Sequence, residues 1–319
     1  MRAFITGISG QDGSHLTEFL LGKGYKVVGL LRRSSTPNIK NIIHLLDKID
    51  IEYGDISDQS NLDFIINKYQ PDEVYNLAAM SFVPVSWKSP TYTMTVNTIG
   101  PLMLLESIRQ HKPDARFYFA GSSEQYGKVV EIPQNENTPF YPRSPYGVSK
   151  CAGFWLTKNY RESYNLFACS GIAFNHTSPR RGIEFVCKKI TNSAAKIKCG
   201  ISDKLYLGNI ESKRDWSHAK DVTKAMWMML QNDEPDDFVI GSDNTHPIKE
   251  LCELAFNYVG LDYRDYLEID PKFFRPAEVD ILLSDSSKIR NTLGWKPEYT
   301  FKQLIEEMVE DDLNNYGKK

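Results

Sequence analysis

Cysteine is scarce in this chain and its pattern is uninformative. The five residues (Cys151, Cys169, Cys187, Cys199 and Cys252) are odd in number and contain no C-x-x-C pair. That excludes a disulfide framework or a zinc-type thiolate site and leaves reduced core cysteines as the expectation. The six histidines show no ligand spacing either, so no metal is expected. No apolar run approaches the ~20 residues needed to cross a bilayer, and the first residues, Arg2-Ala3-Phe4-Ile5-Thr6, enter a strand pattern rather than a signal-peptide layout. A net charge of −3 lacks the basic surplus of a nonspecific nucleic-acid binder. Repeats, low-complexity tracts and Pro/Gly linkers are also missing. A second lobe would therefore be woven back onto the first rather than tethered by a hinge. The expected protein is cytoplasmic, with 41% hydrophobic and 25% charged residues, an ordinary globular balance.

What is present is an alternation of strand and helix patterns from the first residue, which implies βαβ units and a parallel sheet. Strands are expected at Ala3–Thr6, Tyr25–Leu31, Ile51–Ile56, Glu73–Ala79, Phe117–Ala120 and Phe167–Phe174. Helices are expected over Ser14–Lys23, Asn97–Gln110 (a Leu-rich face read as plain core), Phe185–Cys199 and His218–Leu230, and Asn175–Gly182 reads as a loop. Gly7-Ile8-Ser9-Gly10-Gln11-Asp12-Gly13 lies between the first strand and helix with G-x-x-G-x-x-G spacing. Gly7 suits the tight turn, Gly10 a close backbone approach to pyrophosphate, and Gly13 close helix–strand packing, with phosphate on the helix N-terminus. The second strand ends in Arg32-Arg33-Ser34-Ser35, where NAD enzymes carry a carboxylate for the ribose. Paired cations suit a 2′-phosphate, so NADP is favoured over NAD, although both could be solvated loop charges. Asp55 could meet the adenine, and the small residues of Asn76-Leu77-Ala78-Ala79 could let a flat ring lie against backbone.

The stretch from Arg116 to Lys150 carries the chemistry. Its apolar run ends in Gly121-Ser122-Ser123-Glu124, at the strand end where open α/β sheets bind ligands. Tyr146 and Lys150 stand four residues apart and project from one helix face. An ammonium beside a phenol lowers its pKa from ~10, so Lys150, aided by a cationic nicotinamide, is expected to make Tyr146 a general base near neutrality. Y-x-x-x-K alone also arises by chance on surface helices; Ser122 upstream and the glycine fingerprint shift the balance. The basic residues Lys188, Lys189, Lys196 and Lys198 read as a solvated face with one or two ligand contacts.

Taken together, Gly7–Gly13, Arg32–Ser35, Asn76–Ala79, Thr138–Tyr146, Asn175–Gly182, Leu205–Trp216, Phe274–Leu283 and Leu293-Gly294-Trp295-Lys296-Pro297 are similar to the extended short-chain dehydrogenase/reductases of nucleotide sugars. Within these, nearly the whole chain resembles the GDP-mannose 4,6-dehydratase family. Asn175-His176-x-Ser178-Pro179-Arg180-Arg181-Gly182 and Lys213-Arg214-Asp215-Trp216 are the most specific stretches. The resemblance implies a Rossmann-type doubly wound parallel sheet with a smaller, interwoven C-terminal substrate lobe. Residues 1–174, with 209–241 returning, would bind NADP, and 175–208 with 242–319 the nucleotide sugar.

The implied activity is a lyase reaction, GDP-mannose to GDP-4-keto-6-deoxymannose plus water, by internal oxidation, elimination and reduction. Tyr146 would take the C4 hydroxyl proton, Glu124 the C5 proton, Ser122 would hydrogen-bond the C4 oxygen, and Lys150 would hold the nicotinamide ribose. Ser9, Gln11, Asp12, Ile56, Leu77, Ala78, Ala79, Ser81, Tyr92, His176 and Arg181 are implied near cofactor. Ser81, Asn175, Lys189, Arg214, Arg275 and Glu278 are implied near substrate, where cations suit a diphosphate and a carboxylate suits ribose hydroxyls. Arg180 and Arg181 could equally make subunit salt bridges, since the resemblance implies a homodimer or homotetramer with cofactor near an interface. Ser122 stands where the family usually has Thr, and Met80 where it has Gln. A dehydratase of another GDP-sugar such as a heptose, a GDP-4-keto-6-deoxy-sugar reductase, and a nucleotide-sugar 4-epimerase share most of these residues. Only a dehydratase needs a base at C5, which makes Glu124 the discriminating residue. A non-enzymatic NADP-binding regulator predicts erosion of the Ser-Glu-Tyr-Lys set, and all four are present.

Overall fold

Short β-branched and aromatic runs buried on both faces build a parallel sheet in this computed structural model, which describes residues 1–274 and 281–317. The strands are β1 (Arg2–Thr6), β2 (Lys26–Leu31), β3 (Asp50–Tyr53), β4 (Glu73–Asn76), β5 (Arg116–Ser122) and β6 (Ala168–Ala173). The helices of this half are α1 (Gln11–Gly22), α2 (Gln59–Tyr69), the short α3 (Val83–Ser86) and α4 (Pro90–Met94), α5 (Gly100–His111) and α6 (Pro145–Tyr164). Sheet order is β6-β5-β4-β1-β2-β3, all parallel, so the chain reverses direction across the sheet between β1 and β4. That reversal opens a crevice at the carboxyl ends of β1 and β4, the place where such sheets bind ligands. One face is covered by a core containing Leu62, Leu104 and Phe154; the other carries Leu16, Leu20 and Met226. Each fully buried Phe or Leu contributes about 1.5–3 kcal/mol relative to exposure.

Beyond β6 come β7 (Asn175–Thr177), α7 (Val186–Lys198), β8 (Leu205–Leu207), β9 (Lys213–His218) and α8 (Ala219–Gln231). They are followed by β10 (Phe238–Ile240), β11 (Thr245–Pro247), α9 (Ile248–Tyr258), β12 (Leu267–Ile269), β13 (Ile281–Leu282), α10 (Ser287–Leu293) and α11 (Phe301–Tyr316). β10 returns to extend the main sheet to seven strands beside β6, and Val222, Met226 and Met229 of α8 pack into the core beneath it. β9 does not join that sheet. It pairs β7 and β13 in parallel and β11 antiparallel, while β8 and β12 form a two-stranded ladder. A third core, with Ile190, Phe256, Ile305 and Met308, unites α7, α9 and α11 as the smaller lobe.

Several boundaries differ from the sequence pattern. The β3 and β4 ladders stop at Tyr53 and Asn76, and Leu77–Ala79 leave the sheet because Leu77 and Ala78 donate their N–H groups to Thr6 Oγ1 at 3.1 Å. The segment expected as a loop at Asn175 begins with a strand, since Asn175–Thr177 pairs with Trp216–His218, some forty residues later. The helix expected from Asn97 is entered through a π-helical turn at Thr95–Ile99. Cys199 is exposed at the end of α7, where the helix stops, rather than in a core. No described helix is long and apolar enough to cross a membrane.

Candidate active site

Ser144-Pro145 fixes where the reactive helix begins. Ser144 Oγ accepts the Gly147 N–H at 3.0 Å, and Pro145 takes a first-turn position that needs no donor. This puts Tyr146 in the first turn of α6 and Lys150 one turn deeper, 8% and 3% exposed. Opposite, β5 ends in a tight capping box. Glu124 N–H donates to Ser122 Oγ at 3.3 Å, and Ser122 N–H donates to Gln125 Oε1 at 2.8 Å. A side chain at Gly147 would stand 2.6 Å from the Glu124 carbonyl, so this glycine lets α6 press against the Glu124 turn. Ser122, Glu124, Tyr146 and Lys150 thus meet on the wall of one cleft of about 710 Å³.

The electrostatics of Tyr146 depart from the sequence expectation. Burial pushes its phenol up to about 12; the Ser122 hydroxyl hydrogen bond and Arg181 pull downward, and Glu124 and Asp12 push upward. Lys150 does not offset this. Burial lowers its own pKa to about 8 against the pull of Asp12, and its ammonium donates to the Ala120 carbonyl at 2.7 Å. Desolvation acts on both partners of the Tyr–Lys pair and is the largest cause of each shift. Ser122, as donor to the phenolate, is the neighbour that most favours ionisation.

The glycine turn is built as its spacing implies. Gly7 has φ +72°, and an added Cβ would stand 2.8 Å from Ala78 N. At Gly13 it would stand 2.4 Å from Gly7 O and 2.6 Å from Ile8 Cα, while at Gly10 only Gly7 O lies nearby, at 3.2 Å. The outward side of Gly10 is therefore accessible to a phosphate. Ser9, Gly10 and Gln11 line a second cavity of about 660 Å³ with Lys40, Arg180 and Arg181. An open backbone at a helix N-terminus with cations around it fits a dinucleotide pyrophosphate.

Asp12 faces the main cleft and accepts from His176 Nε2 at 2.9 Å, while His176 Nδ1 donates to the Phe174 carbonyl at 2.8 Å. Burial opposes both charges, yet their attraction wins: His176 holds the Asp12 carboxyl well below its usual range, and Asp12 raises His176. Leu77, Ala79, Ser81, Asn175, Lys189 and Arg214 also line this cleft. Asn175 Oδ1 is buried with no hydrogen-bond partner among the described residues. Lys189 Nζ lies 3.4 Å from the Phe273 ring centroid, and burial and Lys272 lower its pKa.

Arg32, Arg33, Asp55, Ile56, Ala78 and Tyr92 line neither cavity. Arg32 donates to Tyr92 Oη at 2.6 Å on the exposed surface beyond β2, and Arg33 caps its own loop at the Ser34 carbonyl. Asp55 Oδ1 accepts from Ser57 N and Oγ, and Ile56 is buried in the core. Arg180 pairs with Glu18 at 2.6 Å within the chain. Arg275 and Glu278 lie outside the described residues.

Asn97 is a buried amide in what reads as a plain core helix. From the π-helical turn its side chain accepts the Met80 N–H at 2.8 Å, donates to the Met80 carbonyl at 3.1 Å and donates to Ser149 Oγ at 3.0 Å. It ties the strand-end loop at Met80 to the reactive helix. An amide among apolar neighbours was the available signal, because a buried amide needs partners.

The family profile described as GDP-mannose 4,6 dehydratase matches residues 4–308. The chain is 51% identical to GDP-mannose 4,6 dehydratase 2 of Arabidopsis thaliana, over 98% of this chain and 86% of that one. It is 48% identical to the GDP-mannose 4,6-dehydratase of Vibrio cholerae, over 98% and 93%. Among solved structures, RMD from Pseudomonas aeruginosa complexed with NADPH superposes with a TM-score of 0.82 at 26% identity, over 98% and 99% of the two chains.

Proposed function

We infer, because the chain belongs to the GDP-mannose 4,6-dehydratase family, that it converts GDP-mannose to GDP-4-keto-6-deoxymannose and water. The observation that carries this reading is the placement of Glu124 beside Ser122 and Tyr146 on one cleft wall. A 4-epimerase or a 4-keto reductase needs no base for a carbon-bound proton, and Glu124 is the group proposed to act as one here. NADP is the proposed cofactor. Its fit rests on the accessible Gly10 backbone, the cations around the second cavity, and Arg32 and Arg33 after β2 in place of an acidic residue. When bound, it supplies the nicotinamide that accepts a hydride from sugar C4 and returns one to C6.

The protein's own residues supply the proton chemistry. Ser122 hydrogen-bonds the C4 oxygen and Tyr146. Burial holds the Tyr146 phenol protonated in the protein alone, and the cationic ring of a bound cofactor would help to ionise it. Tyr146 then takes the C4 hydroxyl proton as the ketone forms. The ketone acidifies C5–H. Glu124 takes that proton and passes it to the oxygen leaving C6, which departs as water. When C6 gains the hydride, C5 takes a solvent-derived proton by way of Glu124, and Tyr146 returns its own proton to solvent, so both groups end as they began. Lys150 holds the nicotinamide ribose, and the Asp12–His176 pair stands near the cofactor. Lys189, Arg214 and Asn175, with Arg275 and Glu278, are the proposed diphosphate and ribose contacts. The same reading includes assembly as a homodimer or homotetramer. It is supported by the exposed Val148 and Trp155, which stand seven residues apart on one face of α6.

Glu124→Gln tests the assignment, since it keeps the shape and removes the basic carboxylate. With GDP-mannose in deuterated water, 6-deoxy product should form ~10²–10⁴-fold more slowly. The 4-keto sugar should accumulate, and wild type should incorporate deuterium at C5. Formation of 6-deoxy product by the variant at the wild-type rate removes Glu124 from the mechanism.

A further inference from the structure

Two phenylalanines, one from the segment after β4 and one from the start of α7, meet on the wall of the catalytic cleft. Phe82 follows β4 by six residues, and Phe185 caps the start of α7. Their rings contact edge to face, with centroids 5.4 Å apart and planes at 72°. The Arg181 guanidinium lies 3.6 Å from the centroid of Phe185. Both rings line the 710 Å³ cleft with Ser122, Glu124 and Tyr146, and Phe185 and Arg181 also line the 660 Å³ cavity over Gly10. Phe185 thus stands in the wall that the two cavities share, and Phe82 meets it from the side of the main cleft.

Each side of the bridge is anchored independently. Phe82 stands two residues beyond Met80, whose N–H and carbonyl are both held by Asn97. Phe185 N–H donates to the Gly182 carbonyl at 3.2 Å, and the Phe185 carbonyl accepts from Lys189 at 2.9 Å. Both rings are only half-buried, so their contact with each other, and with whatever occupies the cleft beneath, is their means of leaving water.

We propose that the Phe82–Phe185 bridge retains the half-converted sugar, keeping the 4-keto hexose in the cleft from its oxidation until its reduction. The proposal rests on the dehydratase reading. In that cycle C4 loses a hydride and its hydroxyl a proton, C5 loses a proton and C6 a hydroxide, and then C6 gains the hydride and C5 a proton. Departure of the sugar between these steps breaks the cycle, whereas substrate and product need to leave. A contact of two rings, worth about tenfold in an escape rate, slows exit without sealing the site.

The test is isotopic crossover. GDP-mannose bearing deuterium at C4 and carbon-13 throughout the hexose is mixed with unlabelled GDP-mannose, and the products are resolved by mass. Wild type should place deuterium only in carbon-13 product. Phe82→Ala and Phe185→Ala should each put deuterium into carbon-12 product as well, and Phe185→Tyr should restore intramolecular transfer. Dissociation of GDP-mannose, followed by chase in Tyr146→Phe protein, should accelerate about tenfold on adding Phe82→Ala. Crossover-free transfer in both Ala variants, with unchanged dissociation, overturns the bridge alone. Absence of deuterium at C6 in wild-type product overturns the dehydratase reading and the bridge with it.

Discussion

Lys150 is a buried cation held by one carbonyl, and its environment costs the fold stability for the sake of the site. Its pKa in the folded chain is about 8, below the ordinary 10.5. Below pH 8 the ammonium is charged in both states and the full desolvation cost applies. Between about 8 and 10.5 the unfolded chain binds more protons than the folded one, so this residue makes stability rise with pH. Lys150→Met should raise the unfolding free energy at pH 7 by roughly 3 kcal/mol and flatten that slope, as measured by denaturant titration at several pH values. A stability loss at pH 7 would show that the Ala120 hydrogen bond outweighs desolvation. The proposed preference for NADP also rests on single residues. Replacing Arg32 and Arg33 together by Ala should weaken NADP by about 10–100-fold through lost charge-assisted bonds and NAD far less, in equilibrium binding. Equal losses would show that the pair does not read a 2′-phosphate.

Among elements, the π-helical turn at Thr95–Ile99 has the most leverage on the site, because it aims Asn97 at three polar groups. Asn97→Leu fills the volume but leaves the Met80 N–H and carbonyl and the Ser149 hydroxyl short of partners. A cost of about 1–3 kcal/mol per buried unpaired group is expected, with kcat falling more than KM rises as the Met80–Phe82 loop shifts. Thermal unfolding and steady-state kinetics check both, and an unperturbed kcat would confine Asn97 to stability. What the sequence made legible at this scale was local. The β1–turn–α1 unit and the first turn of α6 follow from Gly7, Gly13 and Ser144-Pro145, whose effects span a few residues. β7 was not legible, because Asn175–Thr177 becomes a strand only by pairing with β9. The early end of β4 depends likewise on Thr6 Oγ1, seventy residues away. The Ser-Glu-Tyr-Lys set was legible as chemistry, whereas the rise of the Tyr146 pKa was not, since it depends on how deeply the assembled lobes bury the ring.

At the scale of the molecule, the sheet reversal between β1 and β4 opens the crevice, and the smaller lobe closes its far side. β10 and α8 return to the main sheet, so the lobes share a chain that crosses between them repeatedly and hold the cleft walls in register. His176 joined to Asp12 and Arg180 joined to Glu18 fasten the Asn175–Gly182 segment to α1 from within the chain. In the proposed reaction one active site removes a hydride from C4 of GDP-mannose and delivers it to C6 of the same sugar. The direct measurement is proton and deuterium NMR of the product made from GDP-mannose deuterated at C4, with wild-type protein and no added cofactor. The expected product is a 4-keto-6-deoxy hexose with one deuterium in its C6 methyl group. A C4 epimer, or a 6-deoxy product without deuterium at C6, would contradict it.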